Sequence, residues 1–123
     1  MFAKLHDISV NFGEVRALNN VSLDISPNQI HAIVGENGAG KSTLMSVLFG
    51  LNVNYSGQIF VDEIYKNWAS PSDAIRAGIG MVHQHFMLIE SMTVLENIIL
   101  GSEPNKYMGF LDFRFSELSL IHI

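Results

Sequence analysis

The plainest chemistry in this chain sits in nine consecutive residues, Gly35-Glu36-Asn37-Gly38-Ala39-Gly40-Lys41-Ser42-Thr43. They satisfy the pattern GxxxxGK[ST], in which each residue type has a physical task. The glycines permit backbone torsions that turn successive amides inward, so the loop offers a nest of N–H donors to a β-phosphate at the start of a helix. Lys41 adds a mobile positive charge for β- and γ-phosphates, and Ser42 offers a hydroxyl oxygen suited to Mg²⁺. Glu36 and Asn37 are assigned only their backbone amides, as are Gly35, Gly38, Ala39, Gly40 and Thr43. At average residue usage such a pattern arises by chance in about 0.5% of chains this long, so an ordinary glycine-rich turn with a solvated lysine is a poor account of it.

A phosphate cradle works only if a strand delivers the loop and a helix receives it. Ile30-His31-Ala32-Ile33-Val34 is an apolar run of strand length and is predicted to be a buried strand. After the loop, residues 42–49 place Leu44, Val47 and Leu48 on one helical face and stop at Gly50. Upstream, residues 2–12 and Val21, Leu23 and Ile25 alternate apolar with polar, which predicts two or three half-buried strands, and Pro27-Asn28 reads as a turn. Downstream, a strand is predicted over 58–62. A helix opens at Ser70-Pro71-Ser72-Asp73 and ends at Gly78, and a further strand covers Ile79 to His83. Thr93-Val94-Leu95-Glu96 is a capping box that starts a last helix, closed by Gly101.

The 123 residues are a common size for one domain. Seven Lys plus Arg against twelve Asp plus Glu leave a formal charge of −5, which argues against a general binder of nucleic acid or anionic membrane. An apolar share of 48% with 15% charged residues demands a core, so disorder is excluded as the main state. Without cysteine there is no disulfide, thiolate metal site or thiol nucleophile. The opening MFAKLHDISV lacks the features of a secretory signal, and no run approaches the roughly 18 apolar residues of a membrane span. Any membrane role is therefore expected to come through a partner.

GTPases, kinases and helicases share this loop, and the flanks discriminate among them. Phe12-Gly13, then Ala17-Leu18-Asn19-Asn20-Val21-Ser22-Leu23, precede the loop, and Ser56-Gly57-Gln58-Ile59 and Ser70-Pro71-Ser72-Asp73-Ala74-Ile75 follow it. Gly78-Ile79-Gly80-Met81-Val82-His83-Gln84-His85-Phe86 and Met92-Thr93-Val94-Leu95-Glu96-Asn97-Ile98 complete the pattern. With these flanks the chain resembles the ATP-binding subunit of an ABC transporter over nearly all of residues 2 to about 113. The stretch around Gln84 and the glycine loop look most like importers of simple sugars or nucleosides.

That resemblance implies an α/β fold of the P-loop NTPase type: an N-terminal antiparallel β portion followed by an incomplete RecA-like core. It implies ATP and Mg²⁺ as ligands, with Phe12 in the aromatic position that stacks on adenine and with Lys41 and Gln84 as the catalytic-site residues. Gln84 joins Ser42 near the metal. It also implies transmembrane permease subunits, a second ATP-binding domain in a head-to-tail dimer, and peripheral residence on the cytoplasmic face of the plasma membrane. His83 and His85 lack the further ligands of a metal site and read as ordinary polar residues. The run 86–89 reads either as core or as the surface where such subunits receive a membrane partner.

Three family elements have no counterpart here: a Walker B strand with its catalytic Glu, an LSGGQ-type signature and a switch histidine. Residues 1–117 are therefore expected to be the N-terminal part of an ATP-binding domain, and Leu118-Ser119-Leu120-Ile121-His122-Ile123, which reads like translated adapter DNA, a non-native tail. Such a chain is expected not to hydrolyse nucleotide by itself. Two alternatives stay open: a nucleotide-binding module without catalysis, and another P-loop kinase or GTPase. The NKxD-type segment of guanine specificity is absent.

Overall fold

The computed structural model describes residues 2–83 and 88–101, in two compact units that divide after Val82. Four antiparallel strands and two helices form the first unit. The strands β1 (Ala3–Phe12), β2 (Val15–Ile25), β3 (Ser56–Val61) and β4 (Ile64–Lys66) form one sheet in the order β2-β1-β3-β4. Alternation explains their faces: Ala3, Leu5, Ile8 and Val10 of β1 and Ile59 and Val61 of β3 are buried, while Lys4, His6, Gln58 and Phe60 belong to the other parity. Against the buried face lies α1 (Lys41–Leu48), whose Leu44, Val47 and Leu48 join a core that includes Leu18, Phe49, Trp68, Ala74 and Ile79. Burying a side chain of this size contributes about 1.5–3 kcal/mol, so this face holds the helix against the sheet.

The β1–β2 ladder is irregular, with register shifts between Leu5 and Ile8 and again beyond. Side chains bridge the breaks. Asp7 N–H donates to Ser22 Oγ at 2.9 Å, while Ser9 Oγ accepts from Asn20 N–H at 2.8 Å and donates to Asn20 Oδ1 at 2.8 Å. Asp7 and Asn20 both sit in the left-handed region, as a bulge that twists the strand requires. Gly57 makes room for this bulge. A Cβ there would lie 2.6 Å from the carbonyl oxygens of both His6 and Asp7, and its φ of +108° is one that side chains rarely adopt.

The turn at Pro27-Asn28 forms with Asn28 left-handed (φ 58°), and His31 Nε2 accepts the Ser26 amide at 3.1 Å to close it. The β3–β4 hairpin also forms, although Glu63 stands where glycine is usual. Asp62 (φ 49°) and Glu63 (φ 66°) both adopt the left-handed torsions of a type I′ turn, and Asp62 ties the turn to Phe2 through reciprocal 2.8 Å hydrogen bonds.

Two expected strands are corrected. Ile30 to Val34 is neither strand nor buried: Ile30 is fully exposed and Val34 is 92% exposed. Ile79 to His83 likewise lacks strand structure, and Val82 is 94% exposed although Ile79 is buried. The reason is the same for both. A strand is defined by a neighbour's hydrogen bonds, and among the described residues no strand runs beside either segment.

Helix α2 (Pro71–Arg76) begins as its sequence predicts, with Pro71 at the first position. Asp73 accepts the Ala69 and Ser70 amides at 2.9 and 3.1 Å and an Arg76 N–H at 2.9 Å. In the second unit α3 (Val94–Ile99) starts on the Thr93 capping box, where Glu96 accepts the Thr93 amide at 2.7 Å and Thr93 Oγ1 accepts the Glu96 amide at 3.3 Å. Asn97 then ties off the preceding loop: Oδ1 accepts from Ile89 N–H, and Nδ2 donates to the carbonyls of Ile89, Met92 and Thr93. Gln84, His85, Phe86 and the 118–123 tail lie outside the described residues.

Two predictions follow from this arrangement, both readable through the one tryptophan, buried Trp68. Gly57→Ala should lower the free energy of urea unfolding by about 2 kcal/mol or more, whereas Glu63→Gly should raise it by about 1 kcal/mol. Equal midpoints for the two variants would contradict the bulge and turn geometry. The second concerns acid. The Ala69 amide, above all, holds the Asp73 carboxyl below its ordinary 3.8, with Arg76 and the Ser70 amide adding to it, and the Thr93 amide and hydroxyl hold Glu96 below 4.5. Both folded values lie under the unfolded ones, so their stabilisation is complete above about pH 4.5 and is lost as pH falls through the folded values. Stability of the first unit, read at Trp68, should drop below pH 4, and Asp73→Asn should flatten that drop; an unchanged acid limb would contradict it.

Candidate nucleotide-binding site

The glycine loop ends where α1 begins, and Gly40 is the hinge between them. Its φ is +85°, and a Cβ there would lie 2.7 Å from the Ala17 carbonyl oxygen and from Leu18 Cδ2 of β2. Only glycine lets the first turn of α1 seat this closely on the sheet. Within the loop, Gly38 is also left-handed (φ 86°) and the Ala39 amide closes onto the Glu36 carbonyl at 3.2 Å. Gly35 and Glu36 turn their carbonyls toward Lys41, whose Nζ donates to both at 2.7 Å. An ammonium has three donors, so one remains for a further acceptor. Lys41 thus draws the loop shut and holds its positive charge over it.

The amides of Lys41, Ser42 and Thr43 belong to the first turn and have no helical acceptor; Leu44 is the first to bond back, to Gly40 at 2.9 Å. No side chain caps this end of the helix. Free N–H groups, the positive end of the helix dipole and the Lys41 ammonium therefore converge on one place, which suits a multiply charged anion. Glu36 and Asn37 are exposed, in keeping with a backbone role only.

Beside this helix end lies a cavity of about 380 Å³ lined by Phe12, Ser42, Thr43, Ser46, Leu51 and Asn52. Phe12 comes from the end of β1 and is 57% exposed, so it is not a core aromatic, and its ring is free to receive a flat partner. The structure thus brings Phe12 together with the adjacent Ser42 and Thr43, which follow it by 30 and 31 positions in sequence. Ser46, Leu51 and Asn52 were not anticipated. Ser46 had a signal, since it falls three and four residues after Thr43 and Ser42 and shares their face of the helix. Asn52 had none. Its Oδ1 accepts the Asn54 amide at 3.0 Å while its Nδ2 is buried without an acceptor, a state that costs about 1–3 kcal/mol.

A larger cavity of about 560 Å³ lies on the opposite face of the sheet between Phe2, Lys4, His6, Gln58, Phe60 and Glu63. It has no free helix end and no glycine loop, so chemistry rather than size selects the smaller one. For a metal, the described residues contain no group of three or more His, Asp or Glu side chains. Ser42 offers a single oxygen, which fits an Mg²⁺ that keeps most of its waters and arrives with phosphate. Gln84, the other expected metal contact, is outside the described residues.

Comparison with known proteins bears on the family of the chain. The ABC transporter family model matches residues 18–122. The nucleoside import ATP-binding protein NupA of Lactococcus lactis is 45% identical over 117 residues, covering 95% of this chain and 23% of that protein. The ribose import ATP-binding protein RbsA 2 of Streptomyces avermitilis is 42% identical over 110 residues, covering 89% of this chain and 22% of that one. The chain thus spans less than a quarter of the length of these relatives. Among solved structures, a dimeric ATP-binding cassette in a post-hydrolysis state with ADP and Pi superposes with a TM-score of 0.71 at 29% identity, over 98% of this chain and 54% of that one. With its phosphate-binding loop, its antiparallel β portion and this family match, the chain belongs to the ABC transporter family.

Proposed function

We propose that this chain is the nucleotide-binding front of an ABC importer's ATP-binding subunit, which takes up a nucleoside or a simple sugar. The observation that carries the reading is a cavity that joins an exposed aromatic ring to the hydroxyls at the open first turn of α1. Phe12 stacks on the adenine of ATP. The amides from Gly38 to Thr43 and the Lys41 ammonium hold the phosphates, and Gly35, Glu36 and Asn37 shape the loop with their backbone. Ser42 contributes one oxygen to the Mg²⁺, and Gln84 approaches the metal and its water. An Mg²⁺ held there would supply charge neutralisation for the phosphates. What this chain does for the chemistry is to bind, orient and offset charge in a fixed frame.

The whole protein would meet a second ATP-binding domain head to tail and act on transmembrane permease subunits from the cytoplasmic face of the plasma membrane. Among the described residues no helix is long and apolar enough to cross a membrane, in keeping with peripheral docking. The nucleoside and ribose importers among its relatives support the solute class. We read residues 1–117 as the first part of that domain, with the unpaired Ile30–Val34 segment receiving a strand from the rest of a longer protein. The 118–123 tail is read as non-native.

A second reading, nucleotide binding without hydrolysis, applies to the 123 residues by themselves. Its support is local: among the described residues no carboxylate or imidazole lines the cavity to orient a water. Calorimetric titration with Mg-ATP tests both readings. The chain should bind Mg-ATP and release no phosphate above background. Lys41→Ala should abolish binding, and Phe12→Ala should weaken it roughly five- to 150-fold, the equivalent of about 1–3 kcal/mol of lost stacking. Undiminished affinity in Lys41→Ala would overturn the assignment, and phosphate release that depends on Lys41 would overturn the second reading.

A further inference from the structure

A cleft of about 310 Å³ opens between the end of β4 and α2, lined by Lys66, Asn67, Trp68, Asp73, Arg76 and Ala77. It shares no residue with the cavity at Phe12. Lys66 sets its character. This residue ends β4 directly opposite Ile59, and opposed residues of an antiparallel pair share a face, so Lys66 belongs to the face on which Ile59 is fully buried. Because β4 is an edge strand, the long stem can leave the core sideways and carry the ammonium into the cleft. Lys66 is half-buried there, and among the described residues it has no ion-pair or hydrogen-bond partner. A cation drawn partly out of water without a counter-charge favours an anion beside it.

The opposite wall adds a second cation. Arg76 gives one N–H to Asp73 Oδ1 at 2.9 Å, and a guanidinium has five. Asp73, the one acid lining the cleft, is already engaged on both oxygens: Oδ2 accepts the Ala69 and Ser70 amides, and Oδ1 accepts Arg76. The last turn of α2 is closed as well, since the carbonyls of Asp73, Ala74 and Ile75 accept the amides of Ala77, Gly78 and Ile79. What the cleft presents unspent is therefore a set of donors: the Lys66 ammonium, the rest of the Arg76 fork and the Asn67 amide.

We propose that this cleft binds a phosphate dianion, free or as a small monoester, with Lys66 and Arg76 as its charged ligands. A guanidinium fork matches two phosphate oxygens, and an ammonium adds a point charge. Two cations against one offset carboxylate favour a dianion over a simple carboxylate. The volume accommodates a phosphate with several of its waters, each of which takes about 30 Å³ of liquid. The site is independent of the glycine loop. An edge lysine that only keeps other strands from pairing would bind no anion.

Trp68, the one tryptophan, lines the cleft and reports on it. The test is titration of the full chain with sodium phosphate, followed by Trp68 fluorescence at constant ionic strength, in wild type and in Lys41→Ala, Lys66→Gln, Lys66→Arg and Arg76→Gln. A saturable change is expected in wild type and, unaltered, in Lys41→Ala. Lys66→Gln and Arg76→Gln should each weaken it at least fivefold, and Lys66→Arg, which keeps the charge, should stay within twofold of wild type. Glycerol 3-phosphate separates the two sources: tighter binding than phosphate assigns an ester and equal or weaker binding assigns the free ion, and either supports the site. No saturable change in wild type would overturn the proposal. So would a change lost in Lys41→Ala, which places the anion at the glycine loop, a change undiminished in Lys66→Gln, or an equal response to acetate.

Discussion

The site depends on the bare backbone of Gly40 against β2. Helix α1 cannot start where it does if residue 40 carries a side chain, because that side chain would occupy the space of the Ala17 carbonyl. The same contact fixes three things at once. It sets the position of the unpaired amides at 41–43, it turns Leu44, Val47 and Leu48 onto the sheet, and it brings Ser42 and Thr43 beside the Phe12 end of β1. In the proposed site the antiparallel sheet is therefore part of the binding machinery. It is the anvil on which the phosphate loop is held and the source of the one ring in the cavity.

Strain is distributed around this anvil and not at the cradle's side chains. Asp7 and Asn20 bend β1 and β2, and Asp62 and Glu63 turn the hairpin, each at a torsion that costs an ordinary residue about 1–2 kcal/mol. Hydrogen bonds compensate three of these positions: the Asp7 and Asn20 amides donate to Ser22 and Ser9, and Asp62 accepts the Phe2 amide. Glu63, at φ 66°, is the position where glycine would serve better. In the second unit, Asn97 does comparable work by closing the 89–93 loop with four hydrogen bonds.

Local signals were legible in the residues themselves. The Pro71 and Thr93 helix starts, the Asn28 turn, the alternation of β1 and the glycine loop all rest on chemistry within a few residues, and all are found where the sequence places them. What depends on distant partners was not legible. Ile30 to Val34 has a strand's composition, yet strand structure comes from a neighbour that the described residues do not supply. The bulge at Asp7 requires Gly57 fifty residues away, and the cavity's Asn52 comes from a loop whose place is set by the Ser46 carbonyl. Phe12 and Ser42 could be paired from sequence only through the family resemblance, since no periodicity links them.

The central claim is that the amides at the start of α1 and the ring of Phe12 bind one ligand. Backbone amide resonances during titration with Mg-ATP test it most directly. The account predicts that the shifts concentrate on Gly38 to Thr43 and on Phe12, with the outer sheet face at Lys4, His6 and Phe60 unmoved. Shifts confined to that outer face, or none at 38–43, would contradict it.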